Sequence, residues 1–240
     1  MDSILAEEKN PVTTQPSASV KITRGNGTVE VGTKRNIVYS ASLSAGSYTY
    51  GPDTGVVAGT ITASFDGQTK TGATGTFDNV VANGTKTLSV SITHNEGAVP
   101  KTNLGNSYAS GQIKAGTKTL SKGTLTGYRN WFYGYKAGGA TIDVSALDSA
   151  KIRALTAQNG GFPATLGTNK MQQMFFAIPK GRKTEVSVAN NVNGAPCTVT
   201  KVTDVMVEGA NGFTAVAYDV WYVNNAAADG GSNTYKITVK

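Results

Sequence analysis

The residues able to do chemistry are scarce and scattered. The 240-residue chain holds one histidine, His94, and one cysteine, Cys197, with 15 Asp and Glu. A zinc or iron site needs several such ligands converging at set spacings, and a calcium loop needs closely spaced carboxylates. Neither pattern occurs, so no metal and no cofactor is expected. A Cys–His nucleophile pair would require Cys197 to meet His94 across two domains. Cys197 sits in Ala195-Pro-Cys-Thr-Val-Thr, which reads as a strand start with a buried thiol, and His94 reads as a loop residue after a strand. No Gly-x-Ser-x-Gly elbow and no phosphate-loop pattern is present. Gly25-Asn-Gly27 is followed by Glu30 where a dinucleotide loop needs glycine. Paired carboxylates remain as the one catalytic device. Asp143 and Asp148, however, lie where acids cap a helix, and Asp219 is a lone polar residue within Tyr218-Asp-Val-Trp-Tyr222. The chain is read as no enzyme.

Binding residues are the alternative. Tyr128, Trp131, Phe132, Tyr133 and Tyr135 crowd one segment, with Trp221 and Tyr222 in another. Aromatics inside the strands of a sandwich are more often core than platform. Tyr48 and Tyr50, in Gly46-Ser-Tyr-Thr-Tyr-Gly51, fall in a loop and are the candidates to face a ligand such as a sugar. The net charge of +7 suggests nucleic acid at first. Residues 1–125 carry 11 Lys and Arg against 8 Asp and Glu, and residues 126–240 carry 11 against 7. A nucleic-acid binder gathers its basic residues on one face. Here the densest cluster is Lys180-Gly-Arg-Lys183, so no nucleic-acid partner is expected.

The elements that must position these residues are strands. Asn-Gly or Asp-Gly pairs at 26–27, 66–67, 83–84, 159–160, 193–194, 211–212 and 229–230 supply the positive φ angles of tight turns. Between them the pattern alternates: Leu88, Val90 and Ile92 point one way while Thr87, Ser89 and Ser91 point the other. Residues 18–31 read as a hairpin about Asn26-Gly27, and 37–43, 59–65 and 86–92 as further strands. The second half adds strands near 171–178, 184–189, 198–208, 213–223 and 234–239. It also holds one short helix near 146–157, with Ser145 as N-cap and Asp148 reaching back to it.

The fold class expected is all-β: two β-sandwich-like domains, the second with one short helix. The domains span 11–126 and 127–240, behind an N-terminal segment 1–10 in which Ile4 and Leu5 are candidate partner anchors. Only 15% of residues are charged, against about a quarter in an average domain, while 39% are hydrophobic, which excludes disorder. Apolar runs are far shorter than the ~20 residues that cross a bilayer, so no membrane insertion is expected. The acidic start Met1-Asp-Ser-Ile-Leu-Ala-Glu-Glu lacks the features of a secretory leader, and with the lone Cys197 it suits synthesis in a reducing cytoplasm.

Glu30-Val-Gly-Thr33 and Ser42-Leu-Ser-Ala-Gly-Ser-Tyr-Thr-Tyr-Gly51-Pro-Asp-Thr-Gly55 resemble an Ig-like module of bacteriophage virion structural proteins. The order continues with Gly127-Tyr-Arg-Asn-Trp-Phe-Tyr-Gly134, Ile152-Arg-Ala-Leu155, Phe175-Phe-Ala-Ile-Pro-Lys180, Tyr218, Gly230 and Tyr235. It covers about residues 11–240. The resemblance implies a head fibre, capsid decoration or tail-associated protein that is made in the host cytoplasm and resides in the virion. Its partners would be other virion proteins of the capsid, portal or tail. A homo-oligomer, with a trimer favoured, is expected. The alternative reading is a glycan-binding adhesin or receptor-binding module acting through exposed aromatics. Relatives in this family often carry a long region before the module, whereas ten residues precede it here, which favours Ile4 and Leu5 as a direct anchor.

Overall fold

The computed structural model describes residues 6–135, 142–168, 172–226 and 233–240. It is an all-β, sandwich-like protein with a single five-residue α-helix among the described residues. Contacts divide the chain into two compact units, one of residues 1–28 and 34–126, the other of 29–33 and 127–240.

The first unit carries strands β1 (Thr13–Thr14), β2 (Ser17–Arg24), β3 (Gly27–Glu30, which runs into the second unit), β4 (Lys34–Ser44), β5 (Ser47–Tyr48), β6 (Ala58–Phe65), β7 (Gln68–Thr71), β8 (Thr74–Val81), β9 (Thr85–His94) and β10 (Gly116–Tyr128). One sheet has the order β2-β4-β8, and the other includes the run β10-β9-β6-β7, all antiparallel. The alternation read from the sequence decides which side chains are buried. Ile37, Tyr39 and Ala41 of β4, Ile61, Ala63 and Phe65 of β6, and Leu88, Val90 and Ile92 of β9 are all buried, with Phe77 and Leu125. Phe77 packs against Tyr39 and Phe65 at ring separations of 5.6 and 5.9 Å. The Tyr39 hydroxyl reaches out of this core to donate to Gly72 O at 3.1 Å.

The hairpin expected over 18–31 does not form. β2 pairs with β4, whereas β3 belongs to the sheet of β10. A two-residue Asn-Gly hairpin turn of type I′ needs positive φ at both central residues. Here the left-handed residues are Gly25 (φ +94°) and Gly27 (φ +115°), with Asn26 not among them, so the chain changes sheets instead of folding back. Asp66-Gly67 does have both angles positive, at +51° and +75°, and it closes the β6–β7 hairpin with Phe65 opposite Gln68.

The second unit contains β11 (Trp131–Tyr135), α1 (Ser149–Arg153), β12 (Thr156–Gln158), β13 (Thr165–Thr168), β14 (Gln172–Pro179), β15 (Val186–Asn190), β16 (Val199–Val207), β17 (Val216–Ala226) and β18 (Asn233–Val239). A five-stranded sheet, β12-β11-β14-β17-β16, stands beside a three-stranded one, β13-β18-β15. The larger sheet is buried on both faces. One face packs Phe132, Phe175, Tyr218, Val220 and Tyr222 against Ile142, Ile152, Leu147 and Leu155. The other packs Met174, Phe176, Ile178, Trp221 and Val223 against Val186, Val188, Tyr235 and Ile237 of the smaller sheet. This is why Met174-Phe-Phe-Ala-Ile178 is continuously apolar and wholly buried instead of alternating.

The helix is shorter than the expected 146–157, and its caps differ. Asp148 is the N-cap, accepting from Lys151 N at 2.8 Å. Asp143 caps a separate 3₁₀ turn, Val144–Ala146, by accepting from Ser145 N at 2.9 Å. Two short capped turns thus replace one helix with Ser145 at its start.

The five residues Val29–Thr33 pack within the second unit. Arg153 clasps Glu30 with both guanidinium nitrogens, at 2.5 and 3.2 Å, donates to Glu208 O at 2.8 Å and lies over the Phe132 ring. The Glu30 carboxylate holds the Arg153 pKa above its ordinary value, chiefly through the hydrogen bond. Backbone contacts flank this pair: Val31 N donates to Tyr128 O and Ala210 N to Val31 O, both at 2.8 Å, and Asn211 Nδ2 donates to Gly32 O at 3.1 Å. Gly32, at φ +89°, admits no side chain, because a Cβ would stand 2.2 Å from Ala210 O. Replacing Glu30 with Gln removes one charge of a partly buried, bidentate pair and should cost about 2 kcal/mol. Denaturant unfolding followed by tryptophan fluorescence measures it, since Trp131 and Trp221 both lie in this unit.

Candidate functional site

The register of the first unit gathers its longest loops at one end. Ala58 opens β6 opposite His94, and His94 closes β9 opposite Gly116, so segments 45–57 and 95–115 leave the sandwich together. Their backbone polar groups need partners that no sheet supplies, and side chains supply them. The Tyr48 hydroxyl donates to Ala98 O at 2.8 Å and accepts from Ile113 N at 3.1 Å. Gly97 lets it in, since a Cβ there would lie 2.8 Å from that hydroxyl. Asn95 accepts from Val57 N at 2.7 Å and donates to Gly55 O at 3.0 Å, while Gln112 Nε2 donates to Gly97 O at 2.8 Å. Thr54, buried, donates to Ala45 O at 3.1 Å.

The segment before β1 joins the same end. Lys9 N donates to Asn103 Oδ1 at 2.7 Å and Asn103 Nδ2 to Glu7 O at 3.0 Å. One carboxylate oxygen of Glu8 accepts from Thr102 Oγ1 at 2.8 Å and Asn106 Nδ2 at 2.7 Å. These hydrogen bonds, that from Asn106 foremost, hold the Glu8 pKa below the usual glutamate value. Outward from this scaffold stand Val12, Val57, Val99 and Leu104, four of the six most exposed large apolar residues among the described ones. The product is a loop cluster stiffened from within and apolar at its tips.

Of the residues singled out in the sequence, Tyr48 is half-buried with its hydroxyl engaged on both sides, so it braces the loops. Tyr50 is half-buried two residues further on. Ile4 and Leu5 lie outside the described residues. His94 is a buried strand residue of β9, not a loop residue, with Nδ1 3.0 Å from Asn95 O. Cys197 is half-buried, and desolvation pushes its thiol pKa up. The aromatics Phe132, Trp221 and Tyr222 are core. Asp219 is buried, with Oδ2 2.9 Å from Lys201 Nζ, which itself lies over Trp221; its Oδ1 has no hydrogen-bond partner among the described residues. Lys180 of the basic cluster is paired with Asp204. Among the described residues no three His, Cys, Asp or Glu side chains are grouped as a metal would need, and no helix is long and apolar enough to cross a membrane.

What sequence reasoning missed is Glu8, Asn95, Asn103 and Gln112, the polar side chains that build the loop end. Their partners lie as many as 98 residues away, and the only local signal was loops too long to be turns. No protein-family model matches the sequence, and no curated protein or solved structure is similar to it.

Tyr48→Phe leaves the Ala98 carbonyl and the Ile113 amide without partners and should cost about 1–3 kcal/mol in thermal or denaturant melts. Tyr50→Phe, whose hydroxyl has no such pair of bonds, should fall within about 0.5 kcal/mol of the parent. The tie of Glu8 is acid-labile. With its folded pKa lowered, the contribution is complete above the ordinary glutamate value of 4.5 and fades as the pH falls through the lowered one. Side-chain amide NMR signals of Asn106 should therefore shift toward exposed values only below pH 4.5.

Proposed function

We propose that the chain is a non-catalytic structural protein of a bacteriophage virion, a head fibre, capsid decoration or tail-associated protein that meets its partners through the loop end of its first unit. The observation that carries the reading is the loop end itself. Its hydrogen bonds fix the loops before any partner arrives, so less ordering entropy is lost on association. The four apolar tips supply surface that gains by being covered.

Two further features support it. The sheets β2-β4-β8 and β10-β9-β6-β7 of the first unit are antiparallel and sandwich-like, the kind of architecture that a virion Ig-like module would need. The acids considered for catalysis have structural duties: Asp143 and Asp148 cap turns, and Asp219 pairs with Lys201. Partners are other virion proteins, with a homo-oligomer, a trimer favoured, as the assembled form.

Antibody raised against the purified chain should label particles of the phage whose genome encodes it. Val12→Asp with Leu104→Asp should leave the melting curve unchanged and abolish incorporation. The double change Ile4→Asp, Leu5→Asp separates the anchor from the loop end, because it spares the contacts of Glu7, Glu8 and Lys9. Particles that never contain the chain would overturn the virion reading. Incorporation undiminished by Val12→Asp with Leu104→Asp would overturn the role of the loop end.

A further inference from the structure

Arg24 closes β2, and Lys34, Arg35 and Asn36 open β4. With Gly25 they line a cleft of about 330 Å³ in the first unit. Arg24, Lys34 and Arg35 are exposed. No carboxylate lines the cleft. The ion pairs of the described residues use Lys86, Lys114, Lys151, Arg153, Lys180, Lys201 and Lys240, and none of these three. Three cations thus line one cleft without an ion-pair partner among the described residues.

Their convergence is built into the backbone. The β4–β8 ladder shifts register between Arg35 and Ile37, and the β2–β4 ladder shifts between Ile22 and Arg24. The first adds a residue in β8 and leaves Lys34 and Arg35 in regular register opposite Val81 and Val80, whereas the second adds one in β2 and re-aims Arg24. Gly25 holds the two segments together: a Cβ on it would stand 2.2 Å from Asn36 O. Asn36 Oδ1 accepts from Asn79 N at 2.9 Å, which leaves its Nδ2 as a further donor. Every side chain of the lining carries at least one donor.

We propose that this cleft is a binding site for a phosphate ester of a sugar or polyol. Two guanidinium forks and an ammonium match a tetrahedral oxyanion in geometry and charge. At about 30 Å³ per water, the volume exceeds that of a bare ion and leaves room for the organic part. Three cations at one end of a sandwich do not make the extended basic track a polynucleotide requires. The inference does not depend on the virion reading.

Calorimetric titration at low ionic strength with glucose 6-phosphate, glycerol phosphate and inorganic phosphate tests it on the full chain. One saturable site is expected for the esters, with inorganic phosphate weaker. Arg24→Gln with Arg35→Gln should weaken ester binding about tenfold or more, at an unchanged melting temperature. Arg24→Lys with Arg35→Lys, which keeps the charge and the fold but loses the forks, should fall between. Lys70→Gln with Lys122→Gln removes the same charge elsewhere and should change little. Absence of saturable binding, or equal loss in the Lys70 and Lys122 control, would overturn the site. Inorganic phosphate binding as tightly as the esters would overturn the ligand class. So would a single-stranded oligonucleotide that binds tighter than the esters with a salt dependence beyond three phosphate contacts.

Discussion

The strip Val29–Thr33 and the Arg153–Glu30 clasp that holds it are the constraint on which much of the structure turns. The chain leaves the first unit after Thr28, contributes five residues to the second, and returns at Lys34. Alongside that excursion, β2 pairs with β4 and β3 joins the sheet of β10. An ion pair on an open surface would be too weak to hold the strip, at about 0–1 kcal/mol. Arg153 and Glu30 instead retain 29% and 17% of their side-chain exposure. The pair is bidentate, and backbone bonds from Val31 and to Gly32 back it. The excursion also sets the composition of the basic cleft, whose residues come from the chain just before the departure and just after the return.

The strands whose burial is one-sided were legible in the sequence, because period-two alternation is a local signal: β6, β9 and β18 read directly. β14 was legible for a different reason, since only a strand covered on both faces tolerates Met-Phe-Phe-Ala-Ile. The pairing of β2 was not legible. Asn26-Gly27 has the right residues for a hairpin, but turn chemistry states only what a turn permits, and the partner that Glu30 finds 123 positions away is not written in it. The helix shows the same limit at smaller scale. Asp143, Ser145 and Asp148 all have capping side chains, and which residue caps which turn depends on where Leu147 and Ile152 find the core.

The loop end shows why aromatic residues in loops are weak evidence for ligand binding. Tyr48 had the position and type of a platform. Long loops, though, carry many backbone groups with no sheet to satisfy them, and a hydroxyl that can donate and accept at once is the economical remedy. Its partners, Ala98 and Ile113, are 50 and 65 residues away. The same demand explains Asn95, Asn103 and Gln112, whose amides do for the loops what a ladder does for strands. A surface made stiff in this way displays its apolar tips at fixed positions.

Counting charge by halves of the chain hid the basic cleft. The first half is only +3, and Lys180-Gly-Arg-Lys183 drew attention because its members are adjacent. Adjacency matters little once an acid is within reach, and Lys180 pairs with Asp204. Arg24 is ten residues from Lys34, yet the pairing of β2 with β4 brings them to one cleft with no acid in its lining. Charge acts through space, and in a protein this poor in carboxylates the effective cations are those that strand geometry leaves unpaired.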